Sequence, residues 1–445
     1  MLNRTIVLGM RVLVCAMLVQ VCSAAELSGN YIAQVVRGTA APQFARVMLK
    51  VDGAKVNGAW GDFAIDGTMT GSKVDLKLAR KDGTSAGQLT GTVTGDTLEG
   101  EGTLAAAAGG RGGGGAAPAP QPMKWKLSAF RPPDKPKTYD FEPKSFYTTY
   151  SAAWQPVLHI YPGDNVRTRT FDNARDAAAT RYGTGGNPST GPFYIEGALP
   201  GDTLVVHLNK VRANRVGANQ GTRLNARSVS AAYLASATAD PGFSGEWTLD
   251  LQKGVAKLTR PSERMKDFTV PIKAMIGCLS VAPSGDEQFR GTDLGNYGGN
   301  LDYNDNVEGT TLYFPVNHPG ALFGVGDAHA AMGDGEVTGS ALETSADVEF
   351  TVDLIKGEQT QQVRAETKDY LISFGVSGSV ADSIQAATTQ LVTWLKKDYG
   401  MTDSEVAVFL GAVLKYDIAE LVDPHINIVA KVAKTSLASF KKVTP

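Results

Sequence analysis

Apolar and polar residues alternate along much of this chain in runs too short for helices, and glycine-bearing turns separate the runs. Segments 30–36, 44–51 and 73–79 each show the period of two expected of a strand with one buried face. Asp52-Gly53, Gly71-Ser72 and Gly95-Asp96 lie between such runs, where hairpins need residues that tolerate tight reversal. The 50 Gly and 21 Pro among 445 residues point the same way, toward many turns and short strands. Gly67-Thr68-Met69-Thr70-Gly71 is echoed by Gly91-Thr92-Val93-Thr94-Gly95, which predicts two similar hairpins in one small meander or barrel over 26–130.

Residues 105–122 are Ala/Gly/Pro-rich and cannot fill a core, so they are expected to form a mobile loop, with one more strand over 125–130. A stiff Pro-rich linker is expected over 131–139, followed by a second domain over 140–445. That domain is again strand-like over 202–208, 310–316 and 347–354. Its tail changes period: Ile384, Ala387, Leu391, Trp394 and Leu395 share one helical face over 383–398, and Gly400 is placed to cap it. Thr402-Asp403-Ser404-Glu405 is a capping-box pattern opening a second helix, with Val406, Phe409, Leu410 and Val413 inward. The predicted fold class is therefore α+β, mainly β: a small amino-terminal barrel or meander, then a β-rich domain with carboxy-terminal helices.

Arg4 and Arg11 flank or interrupt an apolar run over 5–21, and Cys22-Ser23-Ala24-Ala25 ends it with small residues. This pattern predicts a secretory signal peptide over 1–25, cut after Ala25, and a secreted or periplasmic protein. Val21 is bulky where a lipoprotein signal carries a small residue. Removal of the signal leaves Cys278 as the sole thiol, so no internal disulfide is expected, and no stable membrane span remains. With 43 basic against 45 acidic residues the chain lacks the basic excess of a nucleic-acid binder.

Of five histidines, His207 lies in an apolar strand pattern, and His159, His318 and His425 lack acidic neighbours at ligand-like spacing, Asp423 near His425 apart. His329 differs. It sits in Gly326-Asp327-Ala328-His329-Ala330-Ala331-Met332-Gly333-Asp334-Gly335-Glu336, where Asp327 and His329 fall on one face of an extended strand. Carboxylate and imidazole together suit Zn²⁺ or a similar divalent ion, whereas the plain alternative is a pair of Gly-Asp turns. Two further dense segments are 295–302, with Asn300 and Asp302, and 187–198, from Asn187 to Glu196; each also reads as a glycine- or proline-rich turn. There is no Gly-x-Ser-x-Gly elbow, no His-Glu-x-x-His helix and no phosphate-binding Gly-x-x-x-x-Gly-Lys loop. Cys278 lies in an apolar strand context without an adjacent base and is a poor nucleophile candidate.

Taken in order, segments 187–202, 276–283, 298–302, 310–322 and 326–343 resemble the acetamidase/formamidase family. Gly309-Thr310-Thr311-Leu312-Tyr313 and Gly320-Ala321-Leu322-Phe323 carry the likeness further, and Thr170-Phe171-Asp172 resembles the family's acidic position. Met332 stands where members often carry Gln, Cys278 replaces an ordinary apolar residue, and residues 26–130 lie outside the resemblance. The resemblance implies hydrolysis of the carbon–nitrogen bond of short linear amides with a divalent metal, Zn²⁺ or Ca²⁺. Expected metal ligands are Asp172, Asp302, Asp327 and His329; Glu343 is the expected proton carrier and Asn300 the expected oxyanion donor. Asn187, Glu196 and Glu336 are expected to bind substrate. A homo-oligomer is expected, and the competing reading is a non-catalytic extracytoplasmic binding protein on the same scaffold.

Overall fold

Eight alternating runs pair in chain order: Gly29–Val36, Gln43–Asp52, Lys55–Trp60, Phe63–Thr70, Lys73–Ala79, Ser85–Thr94, Thr97–Leu104 and Gln121–Ala129. Each is antiparallel to the next, and the first pairs with the last, Tyr31 opposite Ala129, which closes a barrel and leaves no open edge. In Lys73–Ala79 the alternation is plain, with Val74, Leu76 and Leu78 buried and the residues between them exposed. Leu76, Leu78, Leu89 and Leu127 fill the interior, and Trp60 meets Trp125 edge to face at 5.7 Å. Side chains of an eight-stranded barrel suffice to fill it, so this one has a packed core. The sequence echo corresponds to two equivalent strand ends, each turning at a left-handed glycine, Gly71 at φ 60° and Gly95 at φ 59°.

The computed structural model describes residues 27–95, 97–105, 120–172, 186–238 and 240–443. The expected signal peptide lies outside them, as does most of the expected 105–122 loop. The last barrel strand starts at Gln121, earlier than the apolar pattern suggests, because Pro122 and Gln121 pair with Thr103 and Leu104. The chain divides into two compact units after Arg131. From Pro132 on, the expected 131–139 linker belongs to the second unit, where Thr138–Asp140 pairs in parallel with Asn165–Arg169.

Two large sheets build the second unit, an eleven-stranded and a nine-stranded one, with a small two-stranded sheet of Thr149–Ser151 and Gln288–Arg290 beside them. Met275–Ser280 and Phe323–His329 are central to the first; Thr203–Ala213 and Ala346–Ile355 are central to the second. The sheets share one apolar core in which Phe323 packs on Phe314 and Phe350 at 5.9 and 5.2 Å. The other face of the nine-stranded sheet carries the helices. Along Tyr370–Ser377, Ile372 and Phe374 face the inter-sheet core while Leu371 faces a cluster with Leu391, Trp394 and Leu395.

The first of these helices, Val380–Tyr399, is capped by the Ser379 side chain and ends at Gly400, whose φ of 64° suits a residue without Cβ. Ala387, Leu391, Trp394 and Leu395 are buried as their spacing predicts, with Ile384 half-buried at the margin. Asp403–Val413 follows with a complete Thr402–Glu405 capping box; Val406 and Leu410 are buried, Phe409 and Val413 half-buried. The chain does not stop there. Lys415–Glu420 and Ile426–Ala433 return to the nine-stranded sheet, which the helical tail pattern did not suggest. No helix among the described residues is long and apolar enough to cross a membrane.

Candidate metal centre and active site

Strand Phe323–His329 is buried at every position and forms the spine of the site. His329 ends it, lying opposite Met275 on one side and Glu343 on the other, so sheet register alone sets Glu343 beside the imidazole. Asp302 follows strand Gly298–Asn300 and has φ 37°; Asp327 has φ 54° and Glu336 φ 43°. Left-handed backbone at a non-glycine residue costs on the order of 1–3 kcal/mol and persists where the surroundings enforce it. Three of the site's carboxylates are aimed this way. Gly277 makes room for them: a Cβ there would overlap Asp302 Oδ1 and lie 2.9 Å from Asp327 Oδ2.

His329 is fully buried. Its Nε2 lies 3.3 Å from Glu343 Oε1, 3.6 Å from Asp327 Oδ1 and 3.9 Å from Glu336 Oε1, and its Nδ1 lies 3.9 Å from Asp302 Oδ1. Three groups follow, each with ligand atoms within 4.8 Å of one another: Asp302, Asp327 and His329; His329, Glu336 and Glu343; and Asp302, Glu420 and Asp423. Asp302 Oδ1, Asp327 Oδ1, both His329 nitrogens, Glu343 Oε2 and Glu420 Oε2 are buried without a hydrogen-bond partner. Buried carboxylates are tolerated when paired or coordinated, so this set fits a divalent cation.

The electrostatics agree. Burial, reinforced by neighbouring carboxylates, pushes the Asp302 and Glu336 carboxyls well above their ordinary range, and burial also raises that of Glu343. Burial likewise pushes Glu420 up to about 7 and Asp423 up to about 6. Burial disfavours a charged His329, yet Glu343 and Asp327 outweigh it and hold the imidazole well above its usual value. Each group is therefore poised to trade a proton for a cation.

A hydrogen-bonded frame holds the carboxylates in place. Asn187 Nδ2 donates to Asn300 Oδ1 at 2.8 Å and to Asp327 Oδ2 at 2.7 Å. Asn300 Nδ2 donates to Asp302 Oδ2 and, at 2.5 Å, to Asp423 Oδ2. The Asn300 NH₂ is thus committed to two carboxylates, unlike the free N–H an oxyanion donor needs. Cys278 is not in a purely apolar setting: its thiol donates to Asn300 Oδ1 at 2.8 Å and receives the Tyr150 hydroxyl at 3.0 Å. Burial, with Asp327 nearby, pushes that thiol well up, so it stays a protonated donor.

Two expected participants lie elsewhere. Asp172 is buried but engaged by the Arg215 guanidinium, and it belongs to none of the three groups. Glu196 pairs with His159 at 2.7 Å, on an imidazole stacked against Tyr194 at 4.6 Å, and is likewise outside the groups. Glu420 escaped the sequence reading, and Asp423 entered it only as a neighbour of His425. They arrive on the strand and turn after the helices, where the bridge between Gly335 and Glu420 sets them against the Glu336 loop. Their only local signal is a pair of acids three positions apart just before Pro424-His425.

Residues 285–433 match the model of the Acetamidase/Formamidase family. A crystal structure of an acetamidase from Yersinia enterocolitica superposes with a TM-score of 0.60 at 30% identity, covering 68% of this chain and 94% of that one. A formamidase from Methylophilus methylotrophus is 27% identical over 150 residues, 29% of this chain and 37% of its own length. An acetamidase from Mycolicibacterium smegmatis is 28% identical over 137 residues, 26% of this chain and 34% of its own. The matched stretch spans about a third of the length of these two curated relatives.

Proposed function

The chain belongs to the acetamidase/formamidase family, and from that premise we propose that it hydrolyses the carbon–nitrogen bond of linear amides to a carboxylate and ammonia. The observation carrying this reading is the buried, unpartnered set of carboxylate and imidazole atoms around His329. Asp302, Asp327 and His329 would hold the cation; their imidazole nitrogen beside two carboxylates suits Zn²⁺, whereas Ca²⁺ would draw on the carboxylate oxygens, those of Glu420 and Asp423 included. When bound, such an ion supplies a Lewis acid that brings the pKa of water down toward about 7 and polarises a carbonyl.

The remaining work belongs to side chains. Glu343 Oε1 is held by the Ala341 N–H at 3.0 Å, while Oε2 has no partner. Its raised carboxyl suits a group that takes the proton of attacking water near neutrality and passes it to the amide nitrogen. That nitrogen leaves as ammonia as its bond to the acyl carbon breaks, and the water oxygen stays on the acyl carbon. Asn187 and Asn300 orient Asp327 and Asp302, and the full burial of His329 keeps bulk water from competing.

The deciding experiment is ammonia release from formamide, acetamide and larger amides by purified protein of known metal content. Turnover that chelator removes, and that His329→Ala abolishes with the circular dichroism intact, is expected. Absence of turnover with every amide, or indifference to chelator, would sink the reading. We also propose a secreted or periplasmic location from the pattern at 1–25, tested by cell fractionation and the mass of the mature amino terminus. Assembly into a homo-oligomer is a further part of the proposal; sedimentation at monomer mass would refute it.

A further inference from the structure

We propose, resting on the hydrolytic reading above, that the amide this protein takes carries an uncharged medium-length alkyl or arylalkyl acyl group, seated in an apolar cleft that opens onto Glu336. The cleft holds about 520 Å³ and is walled by Trp247, Phe268, Val270, Met332 and Leu342. Glu336 lines it on one side and approaches His329 Nε2 to 3.9 Å on the other. Ala341 also lines it, and its N–H donates to Glu343 at 3.0 Å. The cleft thus borders the side chains assigned to the chemistry through Glu336 and Ala341.

Its walls are preformed. Glu246–Asp250, Val255–Leu258 and Thr269–Pro271 extend the eleven-stranded sheet; the first carries Trp247, the last Val270, and Phe268 immediately precedes the last. Trp247 Nε1 donates to Gln220 at 3.2 Å, so its polar edge is satisfied, and its ring meets Phe268 edge to face at 6.0 Å. Lys273, the basic residue of the lining, is committed to Asp305 at 2.5 Å, so it does not invite an anionic chain. Phe268 remains 45% and Val337 40% exposed, an apolar surface left to water beside a buried polar centre. Formamide or acetamide would cover almost none of it, whereas cavities of several hundred Å³ commonly enclose much larger ligands.

The test compares kcat/KM for acetamide, butanamide, hexanamide and phenylacetamide on cation-loaded, full-length protein. Hexanamide is expected to exceed acetamide at least about tenfold, since each seated methylene contributes a few-fold or more. Met332→Gln and Phe268→Ala, at half-buried and exposed positions, are each expected to cut that ratio by roughly tenfold. Equal or better use of acetamide, or a ratio unmoved by both substitutions, would overturn the proposal. A ratio unmoved while Phe268→Ala dissociates an oligomer would overturn it too, assigning the cleft to a subunit contact. If no amide is turned over, equilibrium binding of phenylacetamide to the Glu343→Gln protein still decides: binding weakened by Met332→Gln supports the cleft, and no binding refutes it.

Discussion

One imidazole among several buried carboxylates is an arrangement that water-exposed chemistry would not require. Glu343 is the carboxylate nearest His329 and keeps one oxygen without a partner. Glu343→Gln is therefore expected to lower kcat by about 10²–10⁴-fold while leaving the near-ultraviolet dichroism unchanged; retention of more than a tenth of kcat would remove it from proton transfer. Gly277→Ala presses a methyl group against the Asp302 and Asp327 carboxylates. The expected outcome is at least tenfold weaker retention of the cation in dialysis, read by elemental analysis, and wild-type retention would show that the carboxylates are free to move aside. Asp327 and His329 were visible in one glycine-spaced stretch and Asp302 in another, whereas Glu343 stood out only through the family resemblance. Asp172 and Glu196 looked alike as acids, yet Arg215 pairs with the first and His159 hydrogen-bonds the second. Sequence alone cannot say which base an acid will meet.

Elements were legible wherever their cause is local. The capping box at Thr402 needs only a hydroxyl and a carboxylate three residues apart, and it forms as the pattern predicts. Thr402→Ala is expected to cost about 1 kcal/mol in chemical denaturation, with an unchanged denaturant slope; a loss under a few tenths would mean that tertiary packing alone fixes that helix start. Leu391 lies at the centre of the longer helix and packs under Trp394 and Leu395 onto Leu371. Strand pairing was less legible, because partners such as Cys278 and Asn300, or Glu343 and His329, meet through register set far along the chain. That register is what moved Cys278 from an apolar context to the side of Asn300.

At the scale of the molecule, the site's carboxylates couple stability to pH. Burial raises Glu420 from 4.5 to about 7 and Asp423 from 3.8 to about 6. A carboxyl raised in the folded state binds more protons than in the unfolded chain, so the stability it contributes is present below its unfolded pKa and lost as pH rises through about 6–7. Cation-free protein is expected to melt higher at pH 5.5 than at pH 8, by differential scanning calorimetry, and added divalent ion to reverse the order because it binds the deprotonated groups of the folded state. Identical melting at both values without cation would contradict the assignment. The barrel, for its part, has its own filled core and a closed edge. A chain starting at Pro132 is expected to unfold cooperatively and keep kcat/KM within about threefold of the full chain; cooperative folding with most activity lost would make the barrel part of catalysis.

By itself the sequence determined the period of each run, the turns between them, the helix caps and the acids and imidazole available for chemistry, since these depend on neighbours a few residues apart. Tertiary structure decided which of those acids share a site. Glu420 and Asp423 reach Asp302 only because two strands after the helices rejoin the nine-stranded sheet and bridge to the Glu336 loop. The left-handed backbone of Asp302, Asp327 and Glu336 is likewise held by the surrounding structure, most plainly at Glu336, since Asp tolerates that region better than Glu. Long-range pairing, and the burial that comes with it, turned a scatter of carboxylates into one centre.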